Sequence, residues 1–596
     1  MSLRAFQRSG LTRREVLVIY AIVLVGVPLG YKAMLFFMLP KTAVYYYMAR
    51  AYPVWETAFF QYLPAWWSPS DPAAIEGLFL GGVRVPWSQW WLPTIAWDSF
   101  MFCLWFSTFC ILLLVQRQWI SNERLTFPVA QIPLEVVKEH SGLSRGDRLA
   151  GAAALPRNRL FWAGAGIAFA LMFLDSLKGY VPTVPALPMG HTTVFTSQKG
   201  IFAGSRTFEI LLWPWLTALA YLVPKEISFS CWFLWALRVV ASAIADALGF
   251  NTEGQTQQAV LPAAYQGMGA ICALSLWVIW IGRRHLLHVS KVAVGWGWFP
   301  EEYRRDALLY RVALIGLLTS FGWMTCFLLM SGCRLTFSVI FLVMLVGYYV
   351  LWARLRAETG LGSQSTLPNE LTWLMLEPVG GAVYRPQEIV TLFTMRWATF
   401  PVPDLTLGVN TGSALEAMKI SDSAGINLPR LSVALVGGFL ISLLVGSFVV
   451  MTGLYHYGFY GTAAGLSDSW PARYMREDGG MIFSQITDPM APQTNNAVIA
   501  MLVGAGATVF LGVLRLRFWW WPLHPVGYVF AMAQDVGELV FPFVLGWALK
   551  SVIVRYGGLR LYSRTVPLAI GAVVGNMLNS AVWSLVGLAR QATGLQ

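Results

Sequence analysis

The chain has 596 residues, 57% of them hydrophobic and only 12% charged. Soluble domains carry about 25% charged residues, so polar side chains are too few here to cover several soluble cores, and lipid must solvate much of the surface. The net charge of +12 sits in short segments beside apolar stretches, as the loops of a membrane protein require; no basic run with interleaved aromatics offers a nucleic-acid surface.

Arg4, Arg8, Arg13 and Arg14 precede an apolar stretch from Val16 to Pro40. It is too long for a signal-peptide core and lacks a small-residue cleavage site, which predicts a retained first helix. The stretch 41–92 is rich in Trp, Tyr, Gly and Pro. Within it Ser70 or Asp71 is placed to cap a short helix with Pro72 at its first position. Trp87, Trp90 and Trp91 suit the headgroup level, and the whole stretch reads as an interfacial cap. A spanning helix needs about 20 apolar residues. That predicts further spans at 94–115, 159–179, 206–223, 227–249, 259–281, 309–330, 335–353, 431–454, 494–514, 537–554 and 565–588. Two apolar stretches, 386–403 and 519–535, are short and interrupted by proline, which favours re-entrant or interfacial segments. The expected fold is all-α: a polytopic transmembrane helical bundle of about 12–14 membrane segments. Its N-terminal membrane half covers 1–330 and its C-terminal half 331–596.

The basic segments are the N-terminus, 117–159, 283–311, Arg354 with Arg356, Arg515 with Arg517, and Lys550 to Arg564. All fall on one side if the spans alternate and 519–535 crosses or dips and returns. This predicts a cytoplasmic N-terminus in a bacterial inner membrane, with 41–92, 180–205, 250–258 and 455–493 outside. Two internal echoes suggest pseudo-repeats. After 94–115 come Arg117, Trp119, Phe127, Pro128 and Ala130; after 494–514 come Arg515, Arg517, Trp521, Pro522, His524, Pro525 and Gly527. A second echo pairs Ser228–Arg238, ending Trp-Ala-Leu-Arg, with Val540–Lys550, ending Trp-Ala-Leu-Lys.

Charged groups inside spans are costly and mark function by default. Asp98 lies one turn into the second span, Glu209 opens the fourth, and Arg238 is near the centre of the fifth, with Asp246 eight residues on. Eight residues rotate a helix by about 80°, so Arg238 and Asp246 do not stack. Arg238 needs a partner from another helix, a water-filled cavity or an anionic ligand. A structural pair with Asp98 or Glu209 stands against a substrate or proton-coupling role. The segment 386–425 reads as a broken helix. An apolar half is stopped by Pro401 and Pro403, Asp404, Asn410, Thr411 and Ser413 follow, and a second helical piece begins near Ser413. Unwound backbone at membrane depth is tolerated only when buried in protein or lining a cavity, so these four polar residues are candidate ion or substrate ligands. A plain loop before an amphipathic helix is the competing reading. Glu358 follows Arg354 by one turn, predicting an intrahelical pair, with Gly360 and Gly362 stopping that helix.

Cys103, Cys110, Cys231, Cys272, Cys326 and Cys333 lie in or beside apolar stretches without CxxC spacing, so free thiols are expected, with no metal and no cofactor. There is no Walker A, Gly-x-Ser-x-Gly or His-Glu-x-x-His motif, and an enzyme is not expected.

The string from Arg117 through Trp119, Phe127 and Pro128 to Ala130 resembles the basic stop and Leu-x-Phe-Pro-x-Ala segment of oligopeptide and yellow-stripe transporters. Tyr221 to Phe233, with Pro224, Ser228, Phe229, Ser230 and Trp232, is similar to their Phe-Ser-x-Trp-Phe segment. A closer likeness, to large bacterial membrane proteins of unknown function, extends to Pro69–Pro72, Arg354–Gly360, Trp521–Gly527 and Tyr556–Gly558. The resemblance implies a transporter-like fold and carries over no substrate residue. With the intramembrane charges, it leads to an expected secondary-transporter-like permease for a small organic solute or peptide, coupled to protons. The alternative is a non-transporting membrane scaffold. Expected partners are the lipid bilayer, a small polar solute, and a homo-oligomer or membrane-complex partner, with no nucleic acid.

Overall fold

The computed structural model describes residues 12–30, 34–137, 158–178, 180–181, 183–184, 192–195, 208–248, 263–296, 301–304, 306–361, 371–399, 407–461, 470–492, 495–533 and 536–593. Its helices begin where the capping residues stand. Thr12 accepts from the Glu15 amide while Glu15 accepts from the Thr12 amide, a capping box at the head of α1 (Arg13–Gly26). A 3-10 turn over Val27–Gly30 follows, then α2 (Met34–Met48). The Asp71 carboxylate accepts from the Ala74 amide at 3.2 Å and caps α3 (Pro72–Leu80), as expected. α4 (Trp87–Arg117) runs into a π turn over Gln118–Asn122 before α5 (Pro128–Val136). Next come α6 (Arg159–Lys178), the antiparallel pair β1 (Thr192–Phe195) and β2 (Phe208–Ile210), α7 (Pro214–Leu222) and α8 (Lys225–Ala247). Three long helices follow, α9 (Ala263–Val294), α10 (Ala307–Met330) and α11 (Leu335–Thr359). α12 (Leu371–Val379), α13 (Pro386–Thr394) and α14 (Arg396–Thr399) are short. α15 (Leu407–Ala424), α16 (Leu428–Tyr457), α17 (Trp470–Thr487), α18 (Asn495–Arg517), α19 (Pro525–Ala531) and α20 (Gly537–Thr593) complete the fold.

Among the described residues nine helices are long and apolar enough to cross a membrane. The chain is a polytopic, helical integral membrane protein. The last of the nine, in α20, bends at Gly558 (φ 61°) into the two arms expected at 537–554 and 565–588. Two expected spans are corrected. The stretch 16–40 is two helices, α1 and α2, because Pro28 lacks an amide donor and the chain tightens into the 3-10 turn around it. The stretch 206–223 is no span: residues 208–210 pair as β2, and Pro214 opens a helix of nine residues, about 13 Å long.

One end of the bundle is basic. Arg14 lies beside Gly425, Arg354 meets Glu123, and Arg515 acts on Glu358. That end therefore gathers the start of α1 and the ends of α4, α11, α15 and α18. α11 is the central helix. Phe341, Leu345, Tyr349 and Ala353 belong to one apolar cluster, while Tyr348, Leu351, Trp352 and Leu355 belong to a second.

In the second cluster α7–α8 and α19–α20 interlock reciprocally. Arg238 of α8 donates to the Ala531 and Ala533 carbonyls at the end of α19 (2.8 and 3.0 Å). Lys550 of α20 donates to the Val223 carbonyl at the end of α7 (2.7 Å). Gly527 of α19 lies against Ser230 of α8, and Gly546 of α20 lies against Ala220 of α7, where a Cβ would come within 2.8 Å. α7 ends at the basic end and α19 begins there, so the two short helices run in opposite directions. The echo between Ser228–Arg238 and Val540–Lys550 thus has a structural counterpart, with the closing Arg and Lys in matching roles. α19 has seven residues, all buried, too few to span: the 519–535 stretch dips and returns.

Candidate functional site at two discontinuous helices

α1 and α2 pass along α16 in the same direction: Ile22 lies against Gly438, Gly26 against Ser442, and Leu35 against Gly446. They form one interrupted crossing that starts at the basic end. α13 and α14 run alongside α11. Arg334, just before α11, binds Glu388 through its amide, Nε and Nη2 at 3.0, 2.8 and 2.6 Å. Farther on, the Tyr349 hydroxyl donates to the Ala398 carbonyl at 2.5 Å. Arg334 to Tyr349 is about 22 Å of helix, so α14 ends deep in the bundle. α15 continues toward the basic end, where Glu416 meets Arg356. α13–α14–α15 is therefore a second interrupted crossing, opposite in direction to α1–α2. The two touch near their interruptions, where Asn410 Nδ2 donates to the Val25 carbonyl at 3.0 Å.

The broken helix expected over 386–425 is present, with a correction to its limits. Helix resumes at Leu407 and not near Ser413, so Asn410, Thr411 and Ser413 are helical and not on unwound backbone. All three are buried, and the Ser413 hydroxyl has no hydrogen-bond partner among the described residues. Asp404 lies outside the described residues.

Ionic groups flank the interruptions on both sides. Away from the basic end, Asp478 of α17 binds Lys41 of α2 with one carboxylate oxygen and Arg396 of α14 with the other. All three are buried. Tyr45 accepts from the Thr394 hydroxyl at 3.2 Å beside them. Toward the basic end, the Arg356 guanidinium holds Glu416 in bidentate fashion at 2.9 and 3.1 Å. Gly412 leaves the room this needs, because a Cβ there would overlap the Arg356 side chain. Two residues earlier, on the opposite face of α11, Arg354 bridges Glu123 (2.6 Å) and Glu358 (2.9 Å), the second being the expected intrahelical pair. Glu358 is 3.7 Å from His524 Nε2. Gly360 ends α11 in the left-handed conformation (φ 73°), as expected, and the Phe127 amide and Thr126 hydroxyl take up carbonyls of its last turn at 2.8 and 3.0 Å. To do so the loop holds Arg124 (φ 54°) and Phe127 (φ 45°) in left-handed backbone, at about 1–2 kcal/mol each. Burial, then the positive charges of Arg515 and Arg354, hold the His524 imidazole well below its usual pKa.

The remaining sequence candidates do not converge here. Asp98 is buried and accepts from the Ser447 hydroxyl at 2.8 Å, at the level where Leu35 meets Gly446. Arg238 grips the helix-end carbonyls of Ala531 and Ala533 on another element, away from the two interrupted crossings. Carbonyls at a helix C-terminus carry partial negative charge and suit a cation. Glu209 stands in β2 opposite Thr193 and opens no helix, which corrects its assignment to a span; Asp246 is in the last turn of α8. Sequence reasoning missed Lys41, Asp478, Arg396, Glu416 and Glu123. The one local signal was a charge directly after Pro40 inside an apolar run, taken for the end of a span.

The chain matches a family of unknown function, DUF6785, over residues 1–596, and it belongs to that family. No curated protein matches it significantly.

Proposed function

We propose that this member of a family of unknown function is a secondary-transporter-like permease for a small organic solute or peptide, with its N-terminus on the cytoplasmic side of a bacterial inner membrane. The observation that carries the reading is the pair of interrupted crossings, α1–α2 and α13–α14–α15, opposite in direction and joined by Asn410 and Val25. Interrupted helices expose backbone donors and acceptors at mid-membrane, where transporters bind solutes and coupling ions. The reciprocal α7–α8 and α19–α20 units support it as a pseudo-repeat. Protons are the coupling ion in this reading, because Asp98, Glu416 and Asp478 are carboxylates buried at or near that depth. The scaffold alternative is weakened because Trp55, Trp67 and Trp90 of the outer segment pack inward and are buried, leaving fewer rings to dock a partner.

Uptake into sealed proteoliposomes tests this, with peptides, amino acids and organic acids offered with and without a proton gradient. Saturable uptake of at least one solute, stimulated by the gradient and abolished in Glu416→Gln, is expected. No flux across the panel, together with a stoichiometric partner in a pulldown, would sink the reading in favour of the scaffold.

A further inference from the structure

An apolar groove of about 480 Å³ lies between α4, α9 and α10. Its walls are Leu114, Ile279, Leu286, Leu287, Ala293 and Leu314. Ile279 and Leu287 are exposed, so the groove opens to the surrounding lipid and not to the bundle interior. From Ile279 to Ala293 it follows about 21 Å of helix. One leaflet of hydrocarbon is about 15 Å deep, half of a ~30 Å core, so the groove is long enough for one acyl chain.

Charge decides which lipid fits. The groove ends toward the basic end, where Arg311 Nε donates to the Ala293 carbonyl at 3.3 Å. Lys291 and Arg304 are exposed at the same end. Over 283–311 the chain carries Arg283, Arg284, Lys291, Arg304, Arg305 and Arg311 against Glu301, Glu302 and Asp306. Arg283 lies farther along the wall, held by the Trp280 carbonyl (2.8 Å) and stacked 4.0 Å from its ring. A guanidinium whose remaining N–H groups have no partner among the described residues, at the end of an acyl-length groove, matches a phosphodiester in geometry and charge. We infer that this groove is a binding site for an anionic phospholipid, with one acyl chain between α9 and α10 and the phosphate at Arg311. A zwitterionic lipid would bring its own cation to the same place and gain less. The inference does not rest on the transport reading.

Native mass spectrometry of the full chain, purified from nanodiscs containing equal phosphatidylglycerol and phosphatidylcholine, reads the retained lipid directly. Phosphatidylglycerol is expected to stay bound in preference to phosphatidylcholine. Arg311→Gln should lower its retention about fivefold, the effect of one basic residue near an anionic group. Leu287→Trp fills the groove on a lipid-facing surface without changing charge, and should lower retention of both lipids. Size-exclusion profiles confirm that each variant is folded, and Arg311→Ala replaces Arg311→Gln if the latter aggregates, with the same loss expected; Arg311→Lys, which keeps the charge but not the planar fork, should fall between wild type and these variants. Equal retention of the two lipids by the wild type, or retention unchanged in Leu287→Trp, overturns the site.

Discussion

The buried pair between Arg356 and Glu416 is a two-sided commitment. Both ions are buried away from water, and breaking a buried pair by removing one member costs about 3–5 kcal/mol. Glu416→Gln should therefore unfold at markedly lower denaturant or temperature. The double change Arg356→Met with Glu416→Leu should recover most of the loss, because apolar residues of similar volume need no counter-charge. Additive losses in the double variant would show that the two side chains do not act as a pair. His524 is a second residue with a defined dependence. Its Nδ1 accepts from the Val526 amide at 3.1 Å and caps α19, which requires an unprotonated nitrogen. Burial and the nearby arginines keep it so in the folded chain. The unfolded chain takes up that proton near pH 6.5, so it binds more protons than the folded state below that value. The stabilising contribution is complete above about pH 7 and shrinks progressively as pH falls below about 6.5, toward the depressed folded-state pKa. The melting temperature of His524→Asn, which keeps an acceptor for Val526 but does not titrate, should fall less over that window; equal slopes would refute the assignment. Which of these residues the sequence could reveal follows from chain separation. The Arg354–Glu358 pair was legible because both partners sit on one helix turn. Lys41 and Asp478 are 437 residues apart, and no local pattern joins them.

Among the elements, Arg238 and Lys550 hold the two units together by a reciprocal grip. Each cation covers the carbonyls at the end of a short helix that belongs to the other unit. Those carbonyls have no partner within their own helix, and exposing a buried acceptor costs about 1–3 kcal/mol. Arg238→Met should raise hydrogen exchange in 525–533 while leaving 214–224 protected, and Lys550→Met should do the reverse. Uniform loosening in either variant would mean that the units melt together and the caps are not local. Long helices were legible from apolar length alone, and the Asp71 and Gly360 terminators from turn chemistry. The failures have different causes. Val16–Pro40 satisfies an apolar-length criterion while containing Pro28, whose missing amide donor hydropathy does not register; in 206–223 the first residues pair as a strand and Pro214 only opens the short helix that follows. Where helix resumes after Pro403 was also hidden: Gly408, Asn410 and Gly412 suggest a loop, but the helix starts at Leu407, with Gly412 packed against Arg356 and Asn410 bonded to Val25.

At the scale of the whole molecule, two interrupted crossings meet between two sets of buried ions. The Lys41–Asp478–Arg396 group ties α2, α14 and α17 on one side, and Arg356–Glu416 ties α11 to α15 on the other. A permease alternates which side of its central site is open, and ties of this kind are the contacts that must break in turn. Asn410 lies between the two sets and is buried, so it reports on opening. In a background with all six cysteines replaced, Asn410→Cys should react slowly with a membrane-impermeant thiol reagent from either side of oriented vesicles. Adding Glu416→Gln loosens only the tie toward the basic end, and should speed labelling from that side severalfold while leaving the other side slow. Adding Arg396→Met should do so from the opposite side. A static scaffold has no such alternation: position 410 would stay unreactive in every variant that remains folded, or would become reactive from both sides at once as the bundle fell apart. Side-specific labelling therefore separates a moving pathway from a packed core without requiring that the solute be known.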